Sequence, residues 1–411
     1  MDTSSRSAPA ARPAPSTLTG LVEGYRDPHA LYDALRERDR IHYDPAVRCW
    51  LVTGHAAVRG ILADRRFVSD AALASPRPAS GGRSSFVGDA IQKQIIFLDG
   101  EKQERVQRAV LVELARRSPE LHGPLRASAL ALAEAGRARG EIDLLKDFAV
   151  PYSMQAISLI LGLPLSDAEE MERLERWTTS FADMTSGYLR VRINDVVQLG
   201  EYVRAQVAAR GGRPSDDLVG ALMRDGGLDD GDDLVIQCMM AFAAGRVTTQ
   251  KLLGDGIPLL LPRWSEWRAL AAGSPSAIRR LTEELLRVVT PTRYVVRYAM
   301  ADADLSGALP GAPTIRRGEK VVLFLQAANR DPEAFPEPHA LDAERPANAH
   351  LSFGFGGHRC PGASVARIEI QTALQVLLST LAELRPNPST PPAWDPNPNL
   401  GGYASYPCLC A

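Results

Sequence analysis

A cysteine inside a glycine-rich loop is the feature of this sequence that most clearly carries chemistry. The loop runs from Phe353 to Gly362 and contains four glycines, with Cys360 and Pro361 directly before a predicted helix. Glycine allows the backbone to turn tightly and to approach a flat ligand closely. The unpaired amides and the dipole at a helix start stabilise an anion, so we expect Cys360 to ionise easily and to bind a metal. Pro361 suits the first helical position because it lacks an amide proton.

The loop resembles the signature Phe-x-x-Gly-x-x-x-Cys-x-Gly of the cytochrome P450 family, in the bacterial form with His two residues before Cys. The resemblance implies a haem b cofactor (iron protoporphyrin IX) with Cys360 as its metal ligand. It also implies that Phe353, Gly354 and Gly362 belong to the cofactor-binding loop, and that His358 contacts a haem propionate. The alternative is a glycine-rich turn with a structural cysteine.

Glu284 and Arg287 are spaced to share one face of a helix. Alone, such a pair is usually solvated and means little. In the family a Glu-x-x-Arg pair is buried and joins an arginine of a later loop. Arg345 is the matching residue here, so the resemblance implies a buried cluster of three charges.

The two carboxylates of a haem require cationic or polar partners. By resemblance, Arg297 and His358 are such partners. The family also places a histidine and an arginine four residues apart on an earlier helix, where this chain has Gln103 and Gln107. A shift of one residue makes Arg108 the expected contact, and the alternative for Arg108 is a solvated basic helix face.

A long apolar stretch from Leu234 to Leu253 contains Ala244, Gly245 and Thr248. It resembles the central helix of the family, written Ala-Gly-x-Asp/Glu-Thr-Thr. Glycine inside a helix costs stability, so Ala244 and Gly245 are expected where a flat cofactor and oxygen lie against the backbone. The resemblance implies that Thr248 is the catalytic alcohol that orders water beside oxygen. The alternative is a buried helix with incidental threonines.

Val247 departs from the family pattern, which has a carboxylate at this position to help deliver protons. A positioned acid or base contributes about 10²–10⁴-fold in rate, and valine can supply none of it. Three options remain open: Thr248 with water, an acid group on the substrate, or a reaction with less controlled protonation. The neighbouring Arg246 faces either solvent or a substrate carboxylate, and the sequence leaves both open.

The elements that position these residues are predicted to be mainly helical, with small β-sheets, in a single domain. The resemblance implies the cytochrome P450 fold, with haem between the central oxygen-side helix and the cysteine loop. Residues 1–18 are predicted to be a disordered tail before a domain of residues 19–411. The predicted segments are helices at 28–45, 55–63 and 361–381, further helices up to about residue 290, a strand at 49–53, strands within 299–325, a mobile loop at 74–90, and irregular chain at 327–357.

Composition excludes several other classes of protein. The chain has 411 residues and a net charge of −2, which gives no general attraction to nucleic acid or anionic membranes. No uncharged apolar run is long enough to predict a membrane span. Five scattered cysteines favour neither a disulfide framework nor a zinc site, so we expect a cytoplasmic protein.

Together these features predict a haem-thiolate monooxygenase that oxidises a small organic molecule, a secondary-metabolite intermediate, with O₂. No flavin or iron–sulfur segment is visible, so electrons are expected from a ferredoxin and its ferredoxin reductase. Val247 keeps open an oxidase that couples or desaturates its substrate, or a peroxide-driven enzyme. A non-catalytic haem-binding accessory protein is the alternative from another class.

Overall fold

Apolar residues at helical spacing predict helices through most of the chain, and the folded protein is built mainly from them. The computed structural model describes residues 20, 24, 26–74, 85–163, 165, 167–188, 191–211, 215–228, 231–306, 311–346 and 348–411. The predicted tail, residues 1–18, lies outside this set. No helix among the described residues is both long and apolar enough to cross a membrane.

The helices of the described residues are α1 (His29–Arg38), α2 (His55–Ala63), α3 (Ala71–Ala74), α4 (Phe86–Gln92), α5 (Glu101–Arg139), α6 (Val150–Leu161), α7 (Ala168–Thr185), α8 (Ile193–Ala209), α9 (Leu218–Asp225), α10 (Gly231–Leu260), α11 (Trp264–Gly273), α12 (Pro275–Val289), α13 (Leu325–Ala328) and α14 (Ala363–Thr380). Short 3₁₀ turns occupy Ile95–Phe97, Leu261–Arg263 and Gly356–His358, and a π-helical turn occupies Leu144–Ala149.

Four small sheets flank these helices. The strands are β1 (Ile41–Asp44), β2 (Cys49–Val52), β3 (Phe67–Val68), β4 (Glu141–Asp143), β5 (Val295–Ala299), β6 (Ala303–Asp304), β7 (Thr314–Ile315), β8 (Lys320–Leu323), β9 (Leu384–Pro386), β10 (Ala393–Asp395), β11 (Gly402–Ser405) and β12 (Pro407–Cys410). The largest sheet has the order β1-β2-β8-β5-β3, with β2 and β8 parallel and the other neighbours antiparallel. The others are β4-β12-β9, β10-β11 and β6-β7.

Helix α10 lies at the centre of the main core and contacts α6, α7, α8, α12 and α14. Its side chains Val235, Phe242 and Leu253 are almost completely buried. A helix that is apolar on nearly every side is stable only when other elements surround it. The prediction of a mainly α protein with small sheets is therefore confirmed.

The predicted helix over residues 28–45 is too long. Helix α1 ends at Arg38, and Asp39 is already extended, with φ −170°. The residues that follow form β1, which pairs antiparallel with β2. The hairpin ladder supplies the backbone hydrogen bonds that a longer helix would have supplied. The predicted strand at 49–53 and the predicted helix at 55–63 are confirmed.

Two other boundaries differ from the prediction. The segment predicted as a loop at 74–90 contains α4, whose N-cap Ser85 accepts a hydrogen bond from the Gly88 amide, while residues 75–84 lie outside the described set. The last helix begins at Ala363, so Pro361 is not its first residue.

Strands β9–β12 were not predicted, because each has three or four residues and little periodicity.

The predicted charge cluster is present and buried. Arg287 donates to both carboxylate oxygens of Glu284, at 2.8 and 2.7 Å, and these side chains are 0% and 1% exposed. Arg345 Nε joins them at 3.3 Å from Glu284. Burial raises the pKa of Glu284, but the hydrogen bonds from Arg287 and from the Asp342 amide lower it further, so the net shift is downward.

The same arginine also organises the irregular chain before the cysteine loop. Arg287 Nη1 donates to the carbonyls of Asn329 and Pro338, at 2.9 and 2.7 Å, and Nη2 donates to that of Ala340, at 2.9 Å. Backbone carbonyls in a buried loop need partners that no helix or sheet provides there. One guanidinium on α12 provides three of them.

A second buried arginine, Arg246 of α10, has neutral partners. It is 1% exposed and donates to Thr178 Oγ1 at 2.8 Å, Thr179 Oγ1 at 2.6 Å and Gln250 Oε1 at 2.6 Å. Burial lowers the pKa of Arg246 to about 10, although acidic groups of α7 oppose this. Arg246 therefore faces neither solvent nor an open site; it fastens α7 to α10.

These two arginines predict different costs of substitution. Arg287→Met leaves the buried Glu284 without its main partner and should reduce the free energy of unfolding by about 3–5 kcal/mol. Arg246→Met leaves only neutral groups unpaired and should cost about 1–3 kcal/mol. Urea unfolding measures both, with Arg263→Met as a surface control that should show no measurable change. Equal losses for Arg246→Met and Arg287→Met would contradict this explanation.

Candidate functional site

The cysteine loop is held by its own backbone. The Cys360 amide donates to the Phe353 carbonyl at 2.8 Å, which closes the loop into a tight turn. Gly354 and Gly356 have φ of 67° and 71°, a conformation that favours glycine. A Cβ on Gly356 would lie 2.2 Å from the Leu62 carbonyl oxygen, so this glycine also allows the loop to pack closely on α2.

The Cys360 side chain is exposed, yet protein surrounds it closely enough that burial raises the pKa of its thiol. The Gly362 amide and the charges of Arg359 and Arg367 oppose this rise without cancelling it. Cys360 therefore opens into a recess. Desolvation therefore opposes the easy ionisation that the helix start predicts, and a bound metal would deprotonate the thiol.

One face of α10 opens into the interior. Ala241, Ala244, Gly245 and Thr248 are each partly exposed, whereas Phe242, Ala243, Arg246, Val247 and Thr249 are buried. The four open positions follow the spacing i, i+3, i+4, i+7, which marks a single helix face. We call these four residues the open face. Exposure of this face within the core indicates a cavity beside it, and three predicted site residues, Ala244, Gly245 and Thr248, lie side by side on this face.

Gly245 also lies close to α6. A Cβ at this position would lie 2.6 Å from Ile157 Cδ1, so a larger residue would require the Ile157 side chain to shift. Thr248 Oγ1 donates to the Ala244 carbonyl at 2.7 Å, so its hydroxyl oxygen can still accept a hydrogen bond from the cavity.

Arg297, on β5, is a buried cation without a counter-ion among the described residues. It is 8% exposed, and its hydrogen bond goes to the carbonyl of Val296 at 2.8 Å. Burial lowers the pKa of Arg297 to about 10, and the charge of Asp99 opposes the shift. A guanidinium has five N–H donors, so Arg297 can still bind an anionic ligand.

His358 lies beside the same acidic residue. Its Nε2 is 2.8 Å from Asp99 Oδ1 and 3.3 Å from Ser69 Oγ. Asp99 also accepts the amides of Ser69 and Asp70, each at 2.7 Å. Burial raises the pKa of Asp99, but His358 and these amides lower it further, and the net shift is downward. Asp99 binds His358, and its charge also acts on the nearby Arg297. The sequence analysis did not identify Asp99 as a site residue. Its position just before the start of α5 was the feature of the sequence that could have indicated it.

Arg108 does not belong to this site. Its side chain is exposed, contrary to the predicted shift of one residue. Gln103 and Gln107 instead face the cysteine loop: Gln103 Nε2 donates to the Gly357 carbonyl at 3.2 Å, and Gln107 Nε2 to the Arg359 carbonyl at 3.0 Å. One residue is about 100° around a helix, so these two positions and Arg108 cannot all face the loop.

Phe353 is held against the helix that follows the loop. Its ring lies under the Arg367 guanidinium, 4.6 Å from carbon to ring centre, and Arg367 pairs with Glu283 of α12 at 2.7 Å. Gly362 caps α14, and a Cβ there would be 3.8 Å from Cys360 Sγ. The loop, α12 and α14 therefore hold the sulfur in one place.

These features fit the haem that the resemblance implies. The open face of α10 offers small side chains, Cys360 offers an exposed sulfur, and Arg297 offers a buried cation without a counter-ion. A flat, dianionic iron cofactor needs a soft ligand on one side, room on the other, and a cation for its carboxylates.

Comparisons with known proteins agree with this geometry. Residues 278–401 match the family model described as Cytochrome P450. The 20-oxo-5-O-mycaminosyltylactone 23-monooxygenase of Streptomyces fradiae is 31% identical, over 87% of this chain and 84% of that protein. The mycinamicin IV hydroxylase/epoxidase of Micromonospora griseorubida is 31% identical, over 94% and 97%.

A solved structure has the same fold. P450BioI, in complex with acyl carrier protein ligated to hexadec-9Z-enoic acid, superposes with a TM-score of 0.83. It is 27% identical and covers 95% of this chain and 100% of its own. This chain belongs to the cytochrome P450 family.

Proposed function

We propose that this P450 monooxygenase holds its haem through Cys360 and oxidises a small organic intermediate of secondary metabolism. Monooxygenase activity and the haem b cofactor follow from the family. The substrate class rests on relatives with printed names such as pentalenic acid synthase of Streptomyces avermitilis, 32% identical over 87% of this chain.

The observation that carries the proposal is the open face of α10. Its four residues are small or polar, and they are accessible inside an otherwise buried core. A core helix that exposes one face to an interior cavity loses packing energy there. That loss is explained when a ligand covers the face.

The residues divide the work as follows. Cys360 would hold the haem iron through its sulfur, and the hydrogen bond from its amide to the Phe353 carbonyl fixes its backbone. Arg297 and His358 are the proposed partners of the haem carboxylates, and Asp99 orients His358. Bound haem supplies the activation of O₂, which the protein alone cannot perform. Thr248 faces the cavity, where its hydroxyl would hold a water beside the reacting oxygen.

Val247 keeps the alternative reactions open. It is 6% exposed and faces away from the cavity, so it neither lines the substrate space nor carries a proton. An oxidase that couples or desaturates its substrate, or a peroxide-driven enzyme, would need less controlled protonation. Incorporation of ¹⁸O from labelled O₂ into the product separates the monooxygenase from both alternatives.

We further propose an acidic ferredoxin as electron donor. Three exposed arginines lie on the loop that carries the cysteine or on helices that contact it: Arg359 on the loop, Arg59 on α2 and Arg108 on α5. Arg59 lies 4.7 Å from the centre of the Phe355 ring in that loop. Exposed charges of one sign steer a partner of opposite sign. The exposure of Arg108 therefore favours a role in docking.

The ligand assignment predicts a spectroscopic result. Reduced protein with carbon monoxide should show the strongly red-shifted Soret band of thiolate ligation, and Cys360→Ser should lose it, because the thiolate ligand is gone. Cys410→Ala, a change in β12, should keep the band. A wild-type band in Cys360→Ser would mean that another residue binds the iron.

The docking assignment predicts a salt-dependent effect. Arg108→Glu should raise the ferredoxin concentration for half-maximal haem reduction about threefold to tenfold at low salt, and the difference should shrink as salt screens the charges. The carbon monoxide spectrum should not change, because Arg108 does not contact the haem. Arg385→Glu on β9 is the matched charge reversal elsewhere on the surface. Loss of haem in Arg108→Glu, or the same effect in Arg385→Glu, would contradict the assignment.

A further inference from the structure

Asn397 joins the β10–β11 turn to the end of α7. Its Nδ2 donates to Asp183 Oδ1 of α7 at 2.7 Å and to Ser186 Oγ, just beyond α7, at 3.0 Å. Asp183 also lines a groove between α7 and β10, together with Thr179 and Asp395. Separation of Asp183 from Asn397 would therefore widen this groove.

The turn and its two strands are held independently of α7. Four contacts attach them to α10 and to residues 293–294: Lys251 with Asp395 at 2.8 Å, Asp255 with the Tyr403 amide at 2.8 Å, Arg293 with the Gly401 carbonyl at 3.2 Å, and the Tyr294 amide with Asn399 Oδ1 at 3.0 Å. None of these contacts involves α7. The end of α7 is therefore the side of the Asn397 contact that can move.

Asp183 is a partly buried carboxyl group without a cation within ion-pair distance among the described residues. Nearby, Lys251 pairs with Asp395, and Arg246 binds three neutral oxygens. Removal from water without such a partner disfavours the ionised form of a carboxyl group. Accordingly, burial raises the pKa of Asp183 to about 6. The hydrogen bond from Asn397 and the charges of Lys251 and Arg246 oppose the rise, whereas the charge of Asp395 adds to it.

We propose that the contact between Asp183 and Asn397 is a pH-sensitive latch beside the cavity, closed when Asp183 is protonated and loosened when Asp183 is ionised. The proposal rests on the haem site proposed above. Helix α7 packs on α10, and Arg246, which binds α7, is adjacent to Gly245 of the open face. Movement of the end of α7 away from the turn returns the Asp183 carboxylate to water and opens the protein on this side.

Other titratable and charged groups surround Asp183. Those that share its groove are Glu172, Glu175, Arg176, Tyr188, Arg192 and Asp395, and Arg246 and Lys251 act on it from α10. Burial also raises the pKa of Asp255 to about 6, but its hydrogen bond is to the Tyr403 amide, so its titration acts on β11. Substitution of Asp183 itself separates its titration from those of all these groups.

The direction of the pH effect follows from the two states of Asp183. In water an aspartate has a pKa of about 3.9, whereas in the closed latch the pKa of Asp183 is raised to about 6. The closed form therefore binds the proton more tightly, and it loses this advantage as the pH rises through about 6. Two pKa units correspond to a factor of about 100 in the equilibrium between the open and closed forms, of which about tenfold falls above about pH 5.

The test uses reduced, haem-loaded protein and tert-butyl isocyanide, a bulky iron ligand without a titratable group. In wild type its association rate should rise about tenfold from about pH 5 to about pH 7.5. Asp183→Asn keeps the bond to Asn397 but stays neutral, so it should bind the isocyanide slowly at every pH. Asp183→Ala loses the bond and should bind it fast at every pH. Glu172→Gln, a matched change at an exposed position of α7, should keep the pH dependence of wild type.

A small ligand and hydrogen exchange provide further readouts. Carbon monoxide does not need a wide opening, so its association rate should not show this pH dependence. At about pH 7.5 the amides of residues 184–188 should exchange more slowly in Asp183→Asn than in wild type, and at about pH 5 the two should be equal.

Three results would overturn the latch: a wild-type isocyanide rate that does not change with pH, an unchanged pH dependence in Asp183→Asn, or rate changes of the same direction in both Asp183 variants. The last result would mean that Asp183 has only a structural role. If the isocyanide does not bind to wild type at all, the haem assignment fails instead, and hydrogen exchange alone decides the latch.

Discussion

The ion pair between Glu284 and Arg287 is the interaction on which the site depends. The described residues between α13 and the cysteine loop form no strand ladder, so their backbone polar groups need other partners. Arg287 binds three of its carbonyls, and Glu284 binds the Asp342 amide and Arg345. The position of Cys360 is therefore determined by a charge pair on a different helix. The pair is fully desolvated. Its main effect is to fix the backbone of a segment that has no regular secondary structure.

The sequence was informative where spacing alone determines neighbours. Glu284 and Arg287 are three residues apart on one helix, and the open positions of α10 repeat with helical period. It was less informative where rotation or distant packing decides. A shift of one position moved the expected contact from Gln107 to Arg108, and only the packing of α5 on the cysteine loop shows which one faces inward. The role of Asp99 depends on a meeting with a residue 259 positions away, which no local pattern encodes.

Three buried arginines show how context sets the use of one side chain. Arg287 has a carboxylate, Arg246 has neutral hydroxyl and amide oxygens, and Arg297 has a single carbonyl. The guanidinium N–H groups of Arg287 and Arg246 have enough hydrogen-bond partners for each arginine to connect separate elements of the fold. Arg297 keeps most of its donors unused in the described structure, and it is the one beside the proposed cofactor site. Residue type therefore did not distinguish structural from functional arginines, whereas the number of partners does.

The attachment of α7 to α10 has a mechanical consequence. Arg246 grips α7 at Thr178 and Thr179, near the middle of that helix, and Asp183 near its end binds Asn397 of the β10–β11 turn at 2.7 Å. A helix that is attached near its middle can rotate about the attachment point but cannot translate along its own axis. While the bond between Asp183 and Asn397 holds, any widening of the cavity on this side must therefore rotate the end of α7 about its attachment to Arg246 and move the β10–β11 turn with it. Entry of a bulky molecule then requires both movements.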